Sequence, residues 1–132
     1  MKYLLDTHTW YWWNNNPLML SKEVLKLLEI MQPADEYYLS AISVWEIAKL
    51  IERGRIKLSS NGLTWIREAL DIPRLVVVPL SPEISWESTN LPGNFHKDPA
   101  DQIIVATARI LDATLLSKDD KLSDYSGVRV KW

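Results

Sequence analysis

The stretch DPADQIIVATARILDATLLSKDD, residues 98–120, contains the pattern that decides the fold. It starts with an acidic N-cap at Asp98 and a proline in the first helical position, which predicts a helix start. The following residues are apolar on most sides as far as Leu111, which predicts a deeply packed central helix. Residues 114–116 form a short apolar run that predicts a buried strand. A buried helix followed by a buried strand is typical of a parallel α/β sheet.

The same alternation extends over the rest of the chain. Short apolar runs predict further strands over residues 3–5, 37–39, 75–78 and 128–130. Helical spacing of apolar residues predicts helices over residues 21–32, 43–53, 62–70 and 81–90, and a short helix near Leu122. The resulting prediction is an α/β fold of three layers, in which helices cover both faces of a central parallel five-stranded sheet.

Length and composition indicate one globular domain. The 132 residues are close to the ~150 of an ordinary domain, so we expect a single domain over residues 1–132. A hydrophobic fraction of 47% and a charged fraction of 24% exclude disordered, collagen-like and coiled-coil classes. Because cysteine is absent, disulfides, thiol nucleophiles and cysteine-based zinc sites are excluded as well.

The charge balance and the lack of targeting signals limit the expected location of the protein and the ways in which it could bind nucleic acid. Neither a signal peptide nor an apolar stretch of ~20 residues is present, so we expect a cytoplasmic protein that does not enter a membrane. The net charge of −2 provides no global attraction to nucleic acid. Any phosphate binding must therefore depend on local basic patches or on bound cations.

Four acidic residues follow the predicted strands at one edge of the sheet. Asp6 follows the first strand, Glu46 lies early in the helix after the second strand, and Asp101 lies in the first turn of helix 98–111. Asp119 follows the strand at residues 114–116. Ligands of open α/β sheets bind beyond the carboxyl ends of the strands, so these four carboxylates are candidates for one site.

Each acid also has a purely structural explanation. Ser43 and Glu46 have the spacing of a capping box, in which the glutamate binds free backbone N–H groups. Asp6, and either Asp119 or Asp120, are candidate caps of the segments that follow them, and Asp98 is expected to act mainly as a cap. Four carboxylates at one edge would nevertheless repel one another, and a hard cation such as Mg²⁺ or Mn²⁺ would neutralise them. Such a site suits phosphodiester hydrolysis.

Four sequence blocks together resemble a known family. They are LLDTH at residues 4–8, SVWEIA at 43–48, HKDPADQIIVATA at 96–108 and LLSKD at 115–119. In this order and spacing they resemble PIN-domain proteins of the VapC toxin type. The resemblance implies the PIN fold and Mg²⁺- or Mn²⁺-dependent endoribonuclease activity against RNA. It further implies the toxin role in a toxin–antitoxin pair, a homodimer, and a cognate antitoxin that blocks the acidic site with its C-terminal segment.

The resemblance also assigns roles to individual acids. Asp6, Glu46, Asp101 and Asp119 match the family's catalytic, metal-binding acids. We expect Asp6 and Asp101 to bind the principal ion, and Glu46 and Asp119 to help bind a second ion together with the substrate phosphate. Many relatives have arginine where this chain has Gln102, which leaves open how Asp101 is supported.

Cations near these acids are candidate phosphate contacts. Lys49 and Arg53 share a helical face with Glu46, while Lys97 and Lys118 flank the other acids. They are the candidate substrate-binding residues, and ordinary solvated helix faces explain them equally well.

The histidines and the tryptophans after the first strand have both structural and functional interpretations. We expect His8 to be a hydrogen-bonded packing residue and His96 to shape its loop. Trp10, Trp12 and Trp13 could stack on unpaired bases, although aromatic residues more often fill a core or a partner interface. Their cluster, with the neighbouring residues 18 and 19, is the candidate dimer or antitoxin surface.

Three other functions remain open. A catalytically silent PIN-fold module that binds RNA or protein would have the same sequence blocks. A Mg²⁺-binding phosphoreceiver domain is less well supported, because Asp6 has no adjacent acid and the strand at residues 75–78 ends in proline rather than in a phosphoacceptor aspartate. A dehalogenase-like phosphatase would need a second aspartate two residues after Asp6, where Thr-His-Thr follows instead.

Overall fold

Five parallel strands form one sheet in a computed structural model that describes all residues, 1–132. Their order across the sheet is β3-β2-β1-β4-β5, and all four neighbouring pairs are parallel. The predicted α/β fold with a parallel five-stranded sheet is thereby confirmed. The strands are β1 (Lys2–Leu5), β2 (Glu36–Ser40), β3 (Leu75–Val78), β4 (Thr114–Leu116) and β5 (Val130–Lys131).

Helices cover both faces of the sheet and complete the three layers. A first group packs on one face, and a second group packs on the other, where α5 lies against α6. A short 3₁₀ helix (Pro17–Met19) connects the first two helices. The first group is α1 (Thr7–Asn15), α2 (Lys22–Ile30), α3 (Ala41–Glu52) and α4 (Gly62–Leu70), and the second is α5 (Pro82–Ser88), α6 (Pro99–Leu111) and α7 (Asp120–Ser123).

The central strand β1 divides the core into two parts. Tyr3 and Leu5 point into one cluster of buried side chains, and Leu4 points into the other, as the alternation of side chains along a strand requires. Helix α6 is the most buried helix, with Ile104, Val105 and four smaller residues almost inaccessible to solvent. The prediction of a deeply packed central helix is confirmed.

Helix α1 was not predicted from the sequence. Its residues, THTWYWWNN, are β-branched, aromatic or asparagine and have low helix propensity. Tertiary contacts stabilise it instead, since Trp10 is fully buried and its indole N–H donates a 2.8 Å hydrogen bond to the carbonyl of Ala69. Packing here overrides the local preference.

Two predicted boundaries are wrong. Helix α3 begins at Ala41 rather than Ser43, because the Ser40 side chain caps it by accepting a hydrogen bond from the Ile42 N–H. The proposed capping box of Ser43 and Glu46 is therefore not formed, and Ser43 is fully buried inside the helix. The last strand lies at Val130–Lys131, later than the predicted residues 128–130.

The strand order reverses direction between β1 and β4. Chain segments leaving these neighbouring strands turn to opposite sides, which opens a crevice beyond their carboxyl ends. None of the seven helices has the length and apolarity that crossing a membrane requires.

Candidate active site

An acidic cleft of about 730 Å³ lies beyond the carboxyl ends of β1 and β4. The segments after β1 and β4 and the starts of α3 and α6 supply its walls, so parts of the chain that are remote in sequence meet there. Six carboxylates and two lysines line the cleft. The acids are Asp6, Glu46, Asp98, Asp101, Asp119 and Asp120, and the lysines are Lys118 and Lys121. All four acids predicted to form a common site are among them.

Asp6 is held rigidly at the end of β1. One carboxylate oxygen accepts a 2.8 Å hydrogen bond from the Thr7 N–H, so that the side chain caps α1. The other oxygen accepts a 2.6 Å hydrogen bond from the Ser117 hydroxyl, just after β4. Each oxygen keeps a free lone pair for a further ligand.

Glu46 is oriented by two hydroxyls, those of Thr7 and Ser43. The Thr7 Oγ1 atom lies 2.5 Å from Glu46 Oε1 and 2.8 Å from Ser43 Oγ. Because an ionised carboxylate can only accept, Thr7 donates its single hydroxyl proton to Glu46 and accepts one from Ser43. The serine that sequence reasoning treated as a helix cap is thus part of a chain of hydrogen bonds that fixes Glu46.

Asp101 faces the His96 imidazole. The Nδ1 atom of His96 accepts a hydrogen bond from the Asp98 N–H, which leaves the proton of the neutral ring on Nε2. That buried Nε2 lies 3.1 Å from Asp101 Oδ2, but its orientation is not that of a hydrogen bond. Gln102 donates from its side-chain amide to the His96 carbonyl at 3.2 Å. Gln102 therefore fixes the loop that carries His96, whose ring faces Asp101.

Asp119 and Asp98 each cap a helix and also line the cleft. Asp119 caps α7 by accepting from the Lys121 N–H, and its own N–H donates to the Ser117 hydroxyl. Asp98 caps α6 by accepting from the Asp101 N–H, which confirms its predicted role. The N-terminus of α6 consequently faces the cleft, where its partial positive charge stabilises negative side chains.

The acids of the cleft raise one another's pKa values. Burial is the largest cause in each case and raises the pKa of Asp6 and of Glu46, although hydrogen bonds from Ser117 and Thr7 partly offset this. For Asp101, burial and neighbouring negative charges raise the pKa to about 7, and those charges are Asp98, Asp6, Glu46 and Asp119. The carboxylates are thus close enough to destabilise one another when all are ionised.

The donor set of the cleft fits a hard divalent cation. All the candidate ligands are carboxylate oxygens, the type that Mg²⁺ and Mn²⁺ prefer. The pKa of Asp101 is raised by burial and, beyond that, by repulsion from the neighbouring acids, and a cation would relieve this repulsion. No three acidic or histidine side chains converge in a metal-binding arrangement. The assignment of metal ligands remains a prediction.

The predicted cationic residues are distributed unevenly around the cleft. Lys118 lines it directly, whereas Lys49 and Arg53 line a neighbouring cavity that shares part of its wall. Lys97 lines neither space. Lys121, beside Asp120, is a further cation of the cleft.

The N-terminal tryptophans divide between the core and the cleft. Trp10 is core, while Trp12 is half-buried and lines the cleft, with the Lys118 ammonium 6.0 Å from its ring centroid. His8 is exposed, lines the cleft and lies against Trp12 at 5.6 Å between ring centroids. The expectation of a hydrogen-bonded packing role for His8 is wrong, since no hydrogen bond holds its exposed ring.

Thr7 is the functional residue that sequence reasoning missed most clearly. Its position directly after the first acid was visible, but its partner Glu46 lies 39 residues away, so only the fold reveals the contact. Ser117 was recognised only as part of a sequence pattern, whereas its hydroxyl joins the ends of β1 and β4.

Comparison with known families and proteins agrees with this geometry. A family model described as "PIN domain" matches residues 3–128. A curated protein named Ribonuclease VapC22, from Mycobacterium tuberculosis, is 36% identical over 122 residues, which are 92% of this chain and 90% of that protein.

Solved structures show the same fold at low sequence identity. The VapBC2 structure from Rickettsia felis, bound to a promoter DNA fragment, matches with a TM-score of 0.74 and 18% identity over 99% of this chain and 98% of that one. The DNA-bound VapBC structure from Salmonella typhimurium matches with a TM-score of 0.71 and 16% identity over 99% and 97% of the two chains. At such identities the match establishes the architecture alone.

Proposed function

This chain belongs to the PIN-domain family, as its sequence blocks indicated, and on that premise we propose that it is a metal-dependent endoribonuclease and the toxin of a toxin–antitoxin pair. The 36% identity to a protein named as a ribonuclease supports the reaction class. The acidic cleft at the reversal of strand order is the observation that carries the proposal. Hydrolysis of RNA phosphodiester bonds is the activity that such a cleft suits.

We assign the metal-binding and catalytic roles to Asp6, Glu46, Asp101 and Asp119. Asp6 and Asp101 would hold the principal ion, and Glu46 and Asp119 would help to hold a second. When bound, Mg²⁺ or Mn²⁺ would polarise the phosphate and lower the pKa of water. Repulsion among the acids supports this assignment, since a cation would remove it.

The chain's own residues orient and attract the reacting groups. Ser117 and Thr7 fix the carboxylates of Asp6 and Glu46, so that little reorganisation is needed when substrate arrives. Lys118 and Lys121 supply positive charge beside the acids and would attract the anionic RNA backbone.

An antitoxin partner follows from the family and from the structural relatives, which are VapBC structures. We propose that a cognate antitoxin covers the acidic cleft, that two copies of the chain form a homodimer, and that the protein acts in the cytoplasm, where RNA is available. Growth arrest on induced expression, relieved by coexpression of a small protein encoded next to this chain, would test the toxin role.

RNA cleavage by the purified protein tests the activity. We expect cleavage of RNA with Mg²⁺ or Mn²⁺, loss of cleavage in excess EDTA, and recovery when the ion is restored. Cleavage that persists in EDTA would contradict the metal dependence. RNA binding without cleavage under every ionic condition would instead indicate the catalytically silent PIN-fold module.

A further inference from the structure

We propose that a second cavity beside the acidic cleft is a nucleotide-binding subsite, in which Trp45 stacks on an unpaired base and Lys49 and Arg53 contact the adjoining phosphate. The proposal rests on the proposed ribonuclease function and adds to it the means by which single-stranded RNA next to the cut is held.

The position of the cavity connects it to the acids. It has a volume of about 460 Å³ and lies between α3 and the start of α6. His8, Glu46 and Asp98 line both this cavity and the acidic cleft, so the two spaces adjoin. An RNA strand whose phosphate lies at the acids would therefore extend into the cavity with its next nucleotide. The volume is in the range of pockets that hold small ligands.

The walls combine an aromatic face with apolar surface. Ile42, Leu50 and Pro99 line the cavity, and Trp45 lies beside them with 54% of its surface exposed. Trp45 contacts no other aromatic ring, unlike Trp12, which lies against His8 and Trp132. An exposed indole on an apolar wall is the type of platform on which an unpaired base stacks, whatever its identity.

Besides Glu46 and Asp98, which it shares with the acidic cleft, the cavity has two cations that suit a polyanion. Lys49 and Arg53 lie on the same helical face as Glu46, and the Lys49 ammonium is 5.9 Å from the centroid of the Trp45 ring. The single ion pair of Lys49, with Glu52 at 2.9 Å, is at the surface and therefore weak. Arg53 forms no ion pair. Both cations are available to a phosphate.

This combination favours RNA over a protein partner as the occupant. An aromatic ring flanked by cations is the arrangement of single-stranded nucleic-acid sites, where bases stack and the backbone is neutralised. The cavity also lies in direct continuation of the site where the scissile phosphate would be held.

A substrate lacking one base tests the proposal. Cleavage kinetics would be measured for the wild type, Trp45→Ala and Trp45→Phe on a single-stranded oligoribonucleotide that the wild type cuts. The same kinetics would be measured on two versions of that oligonucleotide, one with an abasic nucleotide directly before the cut and one with it directly after the cut. Trp86→Ala, which removes an indole exposed to 72% on α5, is the matched control. Circular dichroism would verify that each variant is folded.

We expect Trp45→Ala to raise KM for the intact oligonucleotide about tenfold with kcat unchanged, in line with the loss of one base–aromatic stack. Trp45→Phe should retain part of the affinity, and Trp86→Ala should match the wild type. The base that stacks on Trp45 lies either before or after the cut. On the abasic substrate that lacks this base, the wild type and Trp45→Ala should have equal KM values. Fluorescence anisotropy with the intact labelled oligonucleotide in EDTA should show the same order of affinities without cleavage.

Three results would overturn the proposal. The first is an unchanged KM of Trp45→Ala for the intact oligonucleotide. If this variant instead bound the antitoxin less tightly, the cavity would be a protein-docking surface and not a nucleotide subsite. The second is a rise in KM on Trp45→Ala substitution that is equally large for the intact and for both abasic substrates. The third is an unchanged anisotropy affinity. Failure of the ribonuclease function is distinguishable, because the wild type would then cleave no RNA while the anisotropy comparison could still be made.

Discussion

Charges are arranged in opposite ways at the two edges of the sheet, the amino edge at the amino ends of the strands and the carboxyl edge at their carboxyl ends. Next to the amino ends of β4 and β5, a polar cavity of about 470 Å³ contains two arginines, and each has an acidic partner. Arg109 lies 2.6 Å from Glu87 and also donates to the Gly127 carbonyl, while Arg129 lies 2.9 Å from Asp112. At the carboxyl ends of β1 and β4, six carboxylates face two lysines.

The difference distinguishes charges that stabilise the fold from charges that cost stability. Paired charges at the amino edge contribute hydrogen bonds in the folded state. The acids at the carboxyl edge are partly buried and repel one another, and the pKa of Asp101 is raised first by burial and then by this repulsion. A cost of this kind is typical of functional sites, because their residues serve a ligand rather than the free protein.

The largest expected effect is loss of activity at the carboxyl edge. Asp6→Asn or Asp101→Asn removes a proposed metal ligand and should lower RNA cleavage about a thousandfold or more, equivalent to several kcal/mol of transition-state stabilisation. Asp112→Asn is the matched control, since it makes the same change at the amino edge on a side chain that is 85% exposed. Rates of RNA cleavage measure the effect, and undiminished cleavage by either site variant would contradict the assignment.

The next effect should appear in stability and at the amino edge. Arg109→Met keeps most of the aliphatic stem but removes the bonds to Glu87 and Gly127, which should lower the free energy of unfolding by about 2 kcal/mol. Arg129→Met, at a more exposed ion pair, should change it by less than about 1 kcal/mol. Urea unfolding measures both. Equal losses of unfolding free energy in the two variants would contradict the expectation that the Arg109 pair stabilises the fold more than the exposed Arg129 pair does.

Metal-free protein should lose stability as the pH rises. The pKa of Asp101 is about 7 in the folded chain against an ordinary aspartate value of 3.8, so the folded state binds the proton more tightly than the unfolded chain does. This contribution to stability is complete below pH ~4 and is lost as the pH rises through about 7. The raised pKa values of Asp6 and Glu46 act in the same direction.

Thermal unfolding in EDTA between pH 4.5 and 8 measures this dependence. Tm should fall over the range for the wild type, and less steeply for Asp101→Asn, which should be the more stable of the two at pH 8. Added Mg²⁺ should raise Tm at pH 8 in the wild type more than in the variant. If Tm fell equally with pH in both proteins, the ionisation of Asp101 would not be the cause of the pH dependence.

The smallest effect should come from the indirect support of Asp101. Gln102→Ala removes one hydrogen bond to the His96 carbonyl, worth about 1 kcal/mol, and should raise the Mg²⁺ concentration for half-maximal cleavage about fivefold. Gln102→Arg, which introduces the arginine that the family resemblance leads us to expect at this position, should stay near the wild type. A Gln102→Ala variant with unchanged Mg²⁺ requirement would show that this loop does not position Asp101.

The sequence-based predictions succeeded where the structure of a segment depends on its own residues and their chain neighbours, and they failed where it depends on contacts with distant segments. Helix α6 and strand β3 were predicted correctly because proline, capping residues and apolar runs act on their own neighbours. Helix α1 was missed because its stability depends on Trp10 in a core built by distant segments. The start of α3 was misplaced because Ser43 and Glu46 have the spacing of a capping box, whereas Ser40 caps the helix and Ser43 is buried within it.

The sequence by itself determined the α/β class, the order along the chain of the strands and of the α-helices other than α1, the family and the four candidate acids, because periodicity, capping and motif spacing are local properties. Tertiary structure alone decided which of these residues meet. It brought Thr7 to Glu46 and Ser117 to Asp6, exposed His8, and left Lys97 outside the cleft. The physical reason is that hydrogen bonds and charge repulsion depend on distances of a few ångströms between remote segments, and those distances exist only after the sheet has formed.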